Sequence, residues 1–250
     1  MKYIFQMCLL TVATLGIGSS ASADLIVEFE NDELATNSTF ANTDIVHGNV
    51  SSSTLTSSGL NNNAGWPDAL VGIQNNAGIN SLDAAITNNH YFSFTVTPDA
   101  NASVSYSDMF VRYSLGANTF PATTEFSLLT SITGFSSANL VDSFSGTASV
   151  SGLNVGTGTL DLSAATALQS VAVGSAAEFR IYVHNTGANA MTRIGIGQAF
   201  ATNGSADLTL NGTVNVVAVP EPSGLAVLGC VGLAGLCIRR RRAKTAIGVN

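Results

Sequence analysis

Between Asp24 and Ala218 the chain has no cysteine, no lysine and a single tryptophan. Without cysteine this segment can form no disulfide and hold no metal through thiolates, so its stability must come from apolar burial and backbone pairing. Its only arginines are Arg112, Arg180 and Arg193, set against fifteen of the chain's sixteen acidic residues. No basic groove can be assembled from that inventory, which excludes nucleic acid as a partner. The acidic surplus suits secretion, solubility and weak binding of divalent cations. Catalytic signatures are missing as well: there is no G-x-S-x-G elbow, no H-E-x-x-H pair and no P-loop. His47, His90 and His184 are isolated, and serine is too abundant for any one Ser/His/Asp set to be informative.

What the segment does contain is serine, threonine, asparagine, glycine and alanine, with short alternating apolar runs between them. In YFSFTVT, Phe92, Phe94 and Val96 share one face, as a half-buried strand of period two requires. FRIYV repeats the device with Phe179, Ile181 and Val183 inward and Arg180 and Tyr182 outward, and MFVRYSL places Met109, Val111, Tyr113 and Leu115 together. Further strands are expected at LIVEF, Phe126 to Ile132, Leu140 to Phe144, Ala148 to Val155, Thr159 to Leu162 and Arg193 to Phe200. Asp207 to Val217 reads as two strands turning at Asn211-Gly212. The polar stretch from Asn31 to Asn89 reads as long surface loops with at most two short strands. With few helix formers in a row and no βαβ alternation, these runs predict an all-β fold, an antiparallel jelly-roll-like β-sandwich ectodomain spanning 24–218.

The two ends have a different character. Lys2, the apolar run from Cys8 to Ile17 and Ala21-Ser22-Ala23 read as a signal peptide over residues 1–23, cleaved before Asp24. At the other end, Pro220 and Pro222 interrupt any incoming strand, and Pro222 suits the first position of a helix. The seventeen residues 222–238 would span roughly 25 Å as a helix, near the lower limit for crossing a hydrocarbon core of about 30 Å when flanking arginines snorkel. Arg239, Arg240, Arg241 and Arg242 form a stop-transfer flank that marks the C-terminus as cytoplasmic and places the body outside.

Val219-Pro220-Glu221-Pro222-Ser223, the Gly/Ala/Leu span and the four arginines, in that order, resemble the PEP-CTERM sorting signal of exported bacterial proteins. The resemblance covers residues 219–250, with a tail after the arginines longer than is usual in that family. It implies that Pro220, Glu221 and Pro222 are recognised by an exosortase, a polytopic membrane cysteine transpeptidase. That enzyme would remove the tail and pass the protein from an inner-membrane-anchored precursor to the cell surface or extracellular matrix. The β-rich body is similar to ectodomains that often precede this signal.

Trp66, with Asp68 and the run Asn61 to Asn63, is the candidate glycan contact, because aromatic rings stack on sugar faces and jelly rolls bind glycans through loops. The same ring also fits a buried plug at the end of the sandwich, and that use weighs more heavily. Asp99-Ala100-Asn101 and Asp108 offer oxygen ligands to Ca²⁺ without the regular spacing of a calcium loop. Otherwise no cofactor is expected. The sequence thus points to an exported structural or matrix-associated protein and not an enzyme, partnered by the exosortase, by the membrane through its C-terminal helix, and by extracellular polysaccharide. A carbohydrate-binding module or lectin, and a surface glycoside hydrolase or lyase, stay open as alternatives.

Overall fold

The computed structural model describes residues 23–31, 34, 38, 40–60, 66–67, 69–74, 79–117, 122–149, 152–186, 192–200 and 204–216. The expected signal peptide, apart from Ala23, and the whole of 217–250, with Pro220, Glu221, Pro222 and Arg239 to Arg242, lie outside these residues. Among the described residues no helix is long and apolar enough to cross a membrane.

The strands, in chain order, are β1 (Asp24–Phe29), β2 (Phe40–Ala41), β3 (Ile45–Val46), β4 (Val50–Ser52), β5 (Leu55–Ser58), β6 (Leu70–Gln74), β7 (Tyr91–Pro98), β8 (Ala102–Ala117), β9 (Ala122–Thr130), β10 (Asp142–Ala148), β11 (Asn154–Asp161), β12 (Ala177–Asn185), β13 (Thr192–Ile196) and β14 (Leu208–Val216), with one α-helix, α1 (Leu82–Thr87), between β6 and β7. They form two sheets whose pairings are all antiparallel. The first runs β3-β1-β14-β8-β13-β6 with β11 on the other side of β8, and the second runs β10-β9-β12-β7-β5-β2 with β4 also on β7. The fold is therefore an all-β, two-sheet antiparallel sandwich.

The core lies between the sheets because period-two alternation gives each strand one apolar face. Phe92, Phe94, Val96, Phe179, Ile181 and Val183 from the second sheet are buried against Met109, Val111, Leu115, Leu208 and Leu210 from the first, as their spacing predicts. Aromatic rings bridge the gap: Phe29 meets Phe94 edge-on at 5.1 Å, Phe94 stacks on Phe179 at 5.3 Å, and Tyr106 meets Phe179 edge-on at 5.0 Å. At the β10–β11 side the rings of Phe144 and Tyr113 lie stacked at 5.7 Å over glycines: a Cβ on Gly158 would come within 2.4 Å of the Phe144 ring.

Three sequence expectations need correction. Asn211-Gly212 is not a turn, because β14 runs through it, and the register on β8 skips one residue there, from Asp108 to Tyr106. Ser107 is the extra residue of a β-bulge, and Gly212 is needed because a Cβ would sit 2.3 Å from the Ser105 carbonyl oxygen. The run from Ala148 to Val155 is not one strand: β10 ends at Ala148 and β11 begins at Asn154. Finally, the stretch from Asn31 to Asn89 holds five short strands and α1 where long loops were expected. Ser81 caps α1 by accepting a hydrogen bond from the Ala84 N–H at 3.3 Å. Leu82, Ala85 and Ile86 of α1 cluster with Leu129 and Tyr182 on the outer face of the second sheet, so Tyr182 points outward as expected yet is buried.

Candidate functional site

The outer face of the first sheet carries an open cleft of about 380 Å³, lined by Trp66, Gly116, Ala117, Gly152, Leu153, Arg193 and Phe200. Its position follows from alternation. On β8, Tyr113 and Leu115 point into the core, so Gly116 faces the other way and forms floor. The register places Arg193 of β13 directly across from Gly116, on the same outer face. Trp66 lies over Gly116, where an added Cβ would be 3.1 Å from the ring's Cζ2. It belongs to a small apolar cluster with Ala69, Ala199 and Leu153 that is separate from the main core.

Trp66 is only 6% exposed and Phe200 is 61% exposed. The indole is thus mainly a wall seated on the sheet's outer face, and not a plug at the end of the sandwich. The exposed ring at the cleft is Phe200, which the sequence reading treated as the end of a strand. Its backbone adopts φ +63°, a left-handed conformation that bulky residues rarely occupy and that costs about 1–3 kcal/mol. The Phe200 N–H donates to the Pro67 carbonyl at 3.3 Å, tying the two aromatic-bearing segments together. Behind them the Ser114 hydroxyl donates to the Gly197 carbonyl at 2.7 Å and accepts from the Ala199 N–H at 3.0 Å, fixing the chain that leads to Phe200. Asp68 and Asn61 to Asn63, proposed from sequence as companions of Trp66, lie outside the described residues.

The expected calcium ligands do not converge. Asp99 and Asn101 belong to the β7–β8 connection, while Asp108 sits six residues into β8, about 20 Å further along the strand. The Asp108 carboxylate accepts from Asn211 Nδ2 and from the Ser107 hydroxyl, each at 2.7 Å. Among the described residues no group of three or more His, Cys, Asp or Glu side chains is placed to hold a metal ion. A second cleft of about 290 Å³, with Asn139, Leu140, Val141, Ala164, Ala165, Thr166 and Ala167 among its lining, offers neither a charged group nor an exposed aromatic ring among the described residues.

The nearest approach to a catalytic grouping is Ser143, Glu125 and His184 on the outer face of the second sheet. There the Ser143 hydroxyl donates to the Glu125 carboxylate at 2.9 Å and not to an imidazole, so the serine–histidine hydrogen bond of a nucleophilic triad is not formed. The buried His184 and the half-buried His90 matter for stability instead. Burial pushes His184 below the ordinary imidazole value of 6.5, partly opposed by the nearby Glu125 charge, and burial does the same to His90. Because the unfolded chain takes up protons that the folded chain resists, stability is expected to fall as pH drops below 6.5. Urea midpoints at pH 7.5 and 5.0 test this, and replacing both histidines with glutamine should flatten the difference. Asp161 acts in a separate window: the Ser163 hydroxyl and N–H hold its carboxyl below 3.8, so its contribution is lost only in stronger acid.

No protein-family model and no curated protein sequence matches the chain. Two solved carbohydrate-binding structures are distantly similar in fold. One, described as "CBM4 structure and function", shares 8% identity at a TM-score of 0.25, over 50% of this chain and 72% of its own. The other, the CBM22-1 xylan-binding domain of Xyn10C from Paenibacillus barcinonensis, shares 11% identity at a TM-score of 0.28, over 80% of this chain and all of its own. At these TM-scores neither likeness bears on what this chain binds.

Proposed function

We propose that the chain is a non-catalytic, exported protein of the cell surface or extracellular matrix, with a jelly-roll sandwich that holds extracellular polysaccharide in the Trp66–Phe200 cleft. The observation that carries this reading is Phe200: a large ring, 61% exposed, held in a strained left-handed conformation beside an apolar wall. Strain of this kind persists where the surroundings over-determine it, and an exposed aromatic face in an open cleft suits the flat apolar side of a sugar ring. The acidic, cysteine-free body and the candidate signal peptide agree with export. Phe200→Ala should lower retention of the full chain on an immobilised matrix polysaccharide about fivefold to tenfold, taking stacking as worth roughly 1–1.5 kcal/mol. Its thermal unfolding should be little changed, because the ring is exposed and alanine keeps the Cβ that makes the positive φ costly. Undiminished retention would rule out the cleft as the contact.

Delivery rests on the PEP segment. An exosortase that takes hold of Pro220, Glu221 and Pro222 would release the body from the apolar span and from Arg239 to Arg242. Mass spectrometry of the surface product is expected to find no peptide from the arginine tail in cells with a working exosortase, and to find it in cells lacking one. A stable, released protein with the intact tail would overturn this route.

A further inference from the structure

We infer that the polysaccharide held by the cleft is acidic, with a carboxylate on its repeating sugar, and that Arg193 binds that carboxylate. This rests on the reading that the cleft takes a glycan, and it names the class.

The argument starts from how the three arginines of the body are used. Arg112 Nη1 lies 3.4 Å from Asp207 Oδ1. Arg180 forks onto Glu178, with Nε at 2.7 Å and Nη2 at 3.2 Å, and its guanidinium lies over the rings of Tyr91 and Phe135. Arg193 lines the cleft, and its guanidinium makes no hydrogen bond or ion pair to any described residue. Its Nε is buried without a partner, a loss of about 1–3 kcal/mol for a polar group. In a segment where acids outnumber arginines five to one, leaving a cation without a carboxylate is not a matter of supply.

The surroundings explain the missing acceptor. The cross-strand position opposite Arg193 is Gly116, which has no side chain to offer, and the other described residues lining the cleft are Trp66, Ala117, Gly152, Leu153 and Phe200, none of them acidic. None of the described lining supplies a counter-charge, which leaves the guanidinium open to a ligand's carboxylate. A guanidinium presents planar, parallel N–H groups that match a carboxylate, while the aromatic groups beside it suit a sugar ring. A uronate unit carries both features within one residue. The acidic body opposes such a polymer only at short range, since charges more than about 8 Å apart are screened at physiological salt.

The test compares binding of the full chain to polygalacturonate and alginate with binding to fully methyl-esterified polygalacturonate and to neutral xylan. The wild-type chain should bind the two acidic polymers at least tenfold more tightly. Arg193→Gln should weaken that binding about tenfold to a hundredfold, the range of a charge-assisted hydrogen bond, and leave binding to the ester unchanged. Arg193→Lys, which keeps the charge and loses the fork, should fall between. Equal binding of acid and ester by the wild-type chain, or Arg193→Gln and Arg193→Lys both matching wild type on the acidic polymers, would overturn the inference and leave the glycan reading standing. Preference for a carboxylate-rich peptide such as polyglutamate over all four polymers would also overturn it. If the wild-type chain binds no polysaccharide at all, the glycan reading itself fails.

Discussion

Asp207→Ala is expected to destabilise the protein by about 3–5 kcal/mol, as for removal of one partner from a buried ion pair. Asp207 is fully buried at the entry to β14. Its Oδ2 accepts the Asn31 N–H at 2.9 Å and its Oδ1 lies 3.4 Å from Arg112 Nη1, while its own backbone carbonyl accepts the Arg112 N–H at 2.7 Å. Asn31 in turn donates through Nδ2 to the Ile196 carbonyl at 3.0 Å. One carboxylate therefore joins the segment after β1, the middle of β8 and the start of β14. Truncation would take the carboxylate from a mostly buried guanidinium, which keeps its contact with the Ser205 carbonyl, and leave the buried Asn31 N–H without its acceptor. Against a typical domain stability of about 5–15 kcal/mol, that loss would move the urea midpoint far down. Asp207→Asn, which keeps an acceptor for Asn31, should lose less. A midpoint for Asp207→Ala close to wild type would show that the pair contributes nothing net.

Phe179→Ala should cost a similar amount, about 3–5 kcal/mol, by a different route. The ring is fully buried at the centre of the sandwich, stacked on Phe94 and met edge-on by Tyr106, so its removal loses both transfer energy and two aromatic contacts and leaves a cavity between rigid sheets. Phe179→Leu should recover more than half of the loss by refilling most of the volume. Thermal or urea unfolding of the pair of variants checks the ordering, and an alanine variant no worse than leucine would mean that the sheets collapse around the gap.

Both residues differ in how visible they are in the sequence. Phe179 sits in FRIYV, where the alternation never changes phase, and the same is true of Phe92, Phe94 and Val96 in YFSFTVT. Strands of constant phase announce their inner face. β8 does not, because the bulge at Ser107 switches its buried positions from Ala102, Val104 and Tyr106 to Met109, Val111 and Tyr113, which hides the first half of a sixteen-residue strand. The Asn-Gly pair opposite that bulge has the chemistry of a hairpin turn, yet here glycine serves a close approach between backbones. The short strands between Phe40 and Ser58 are only two to four residues long, too short to show an alternation, so pairing with β1, β5 or β7 defines them, which no local pattern records. In the cleft, Trp66 stood out by rarity, whereas Phe200 and Arg193 are brought to it by the register of β13 on β8 and by the chain that follows. The scarcity of arginine was the signal available for Arg193; nothing in the sequence says that its two counterparts find carboxylates while it meets none among the described residues.

The adjacency of β1 and β14 has a mechanical side. Asp24 pairs with Gly212, and β14 continues antiparallel for four residues to Val216, so the first strand starts where the last one finishes. Opposed forces applied at these two points would open the β1–β14 ladder from one end, bond after bond, like a zipper. A load shared along the whole ladder would require pulling from opposite ends. On the proposed export route, the sandwich can close while both ends stay near the bilayer, since joining them demands no passage of chain across the molecule. If that proposed route holds, the same geometry would make the precursor easy to peel apart when tugged before its C-terminal tether is cut.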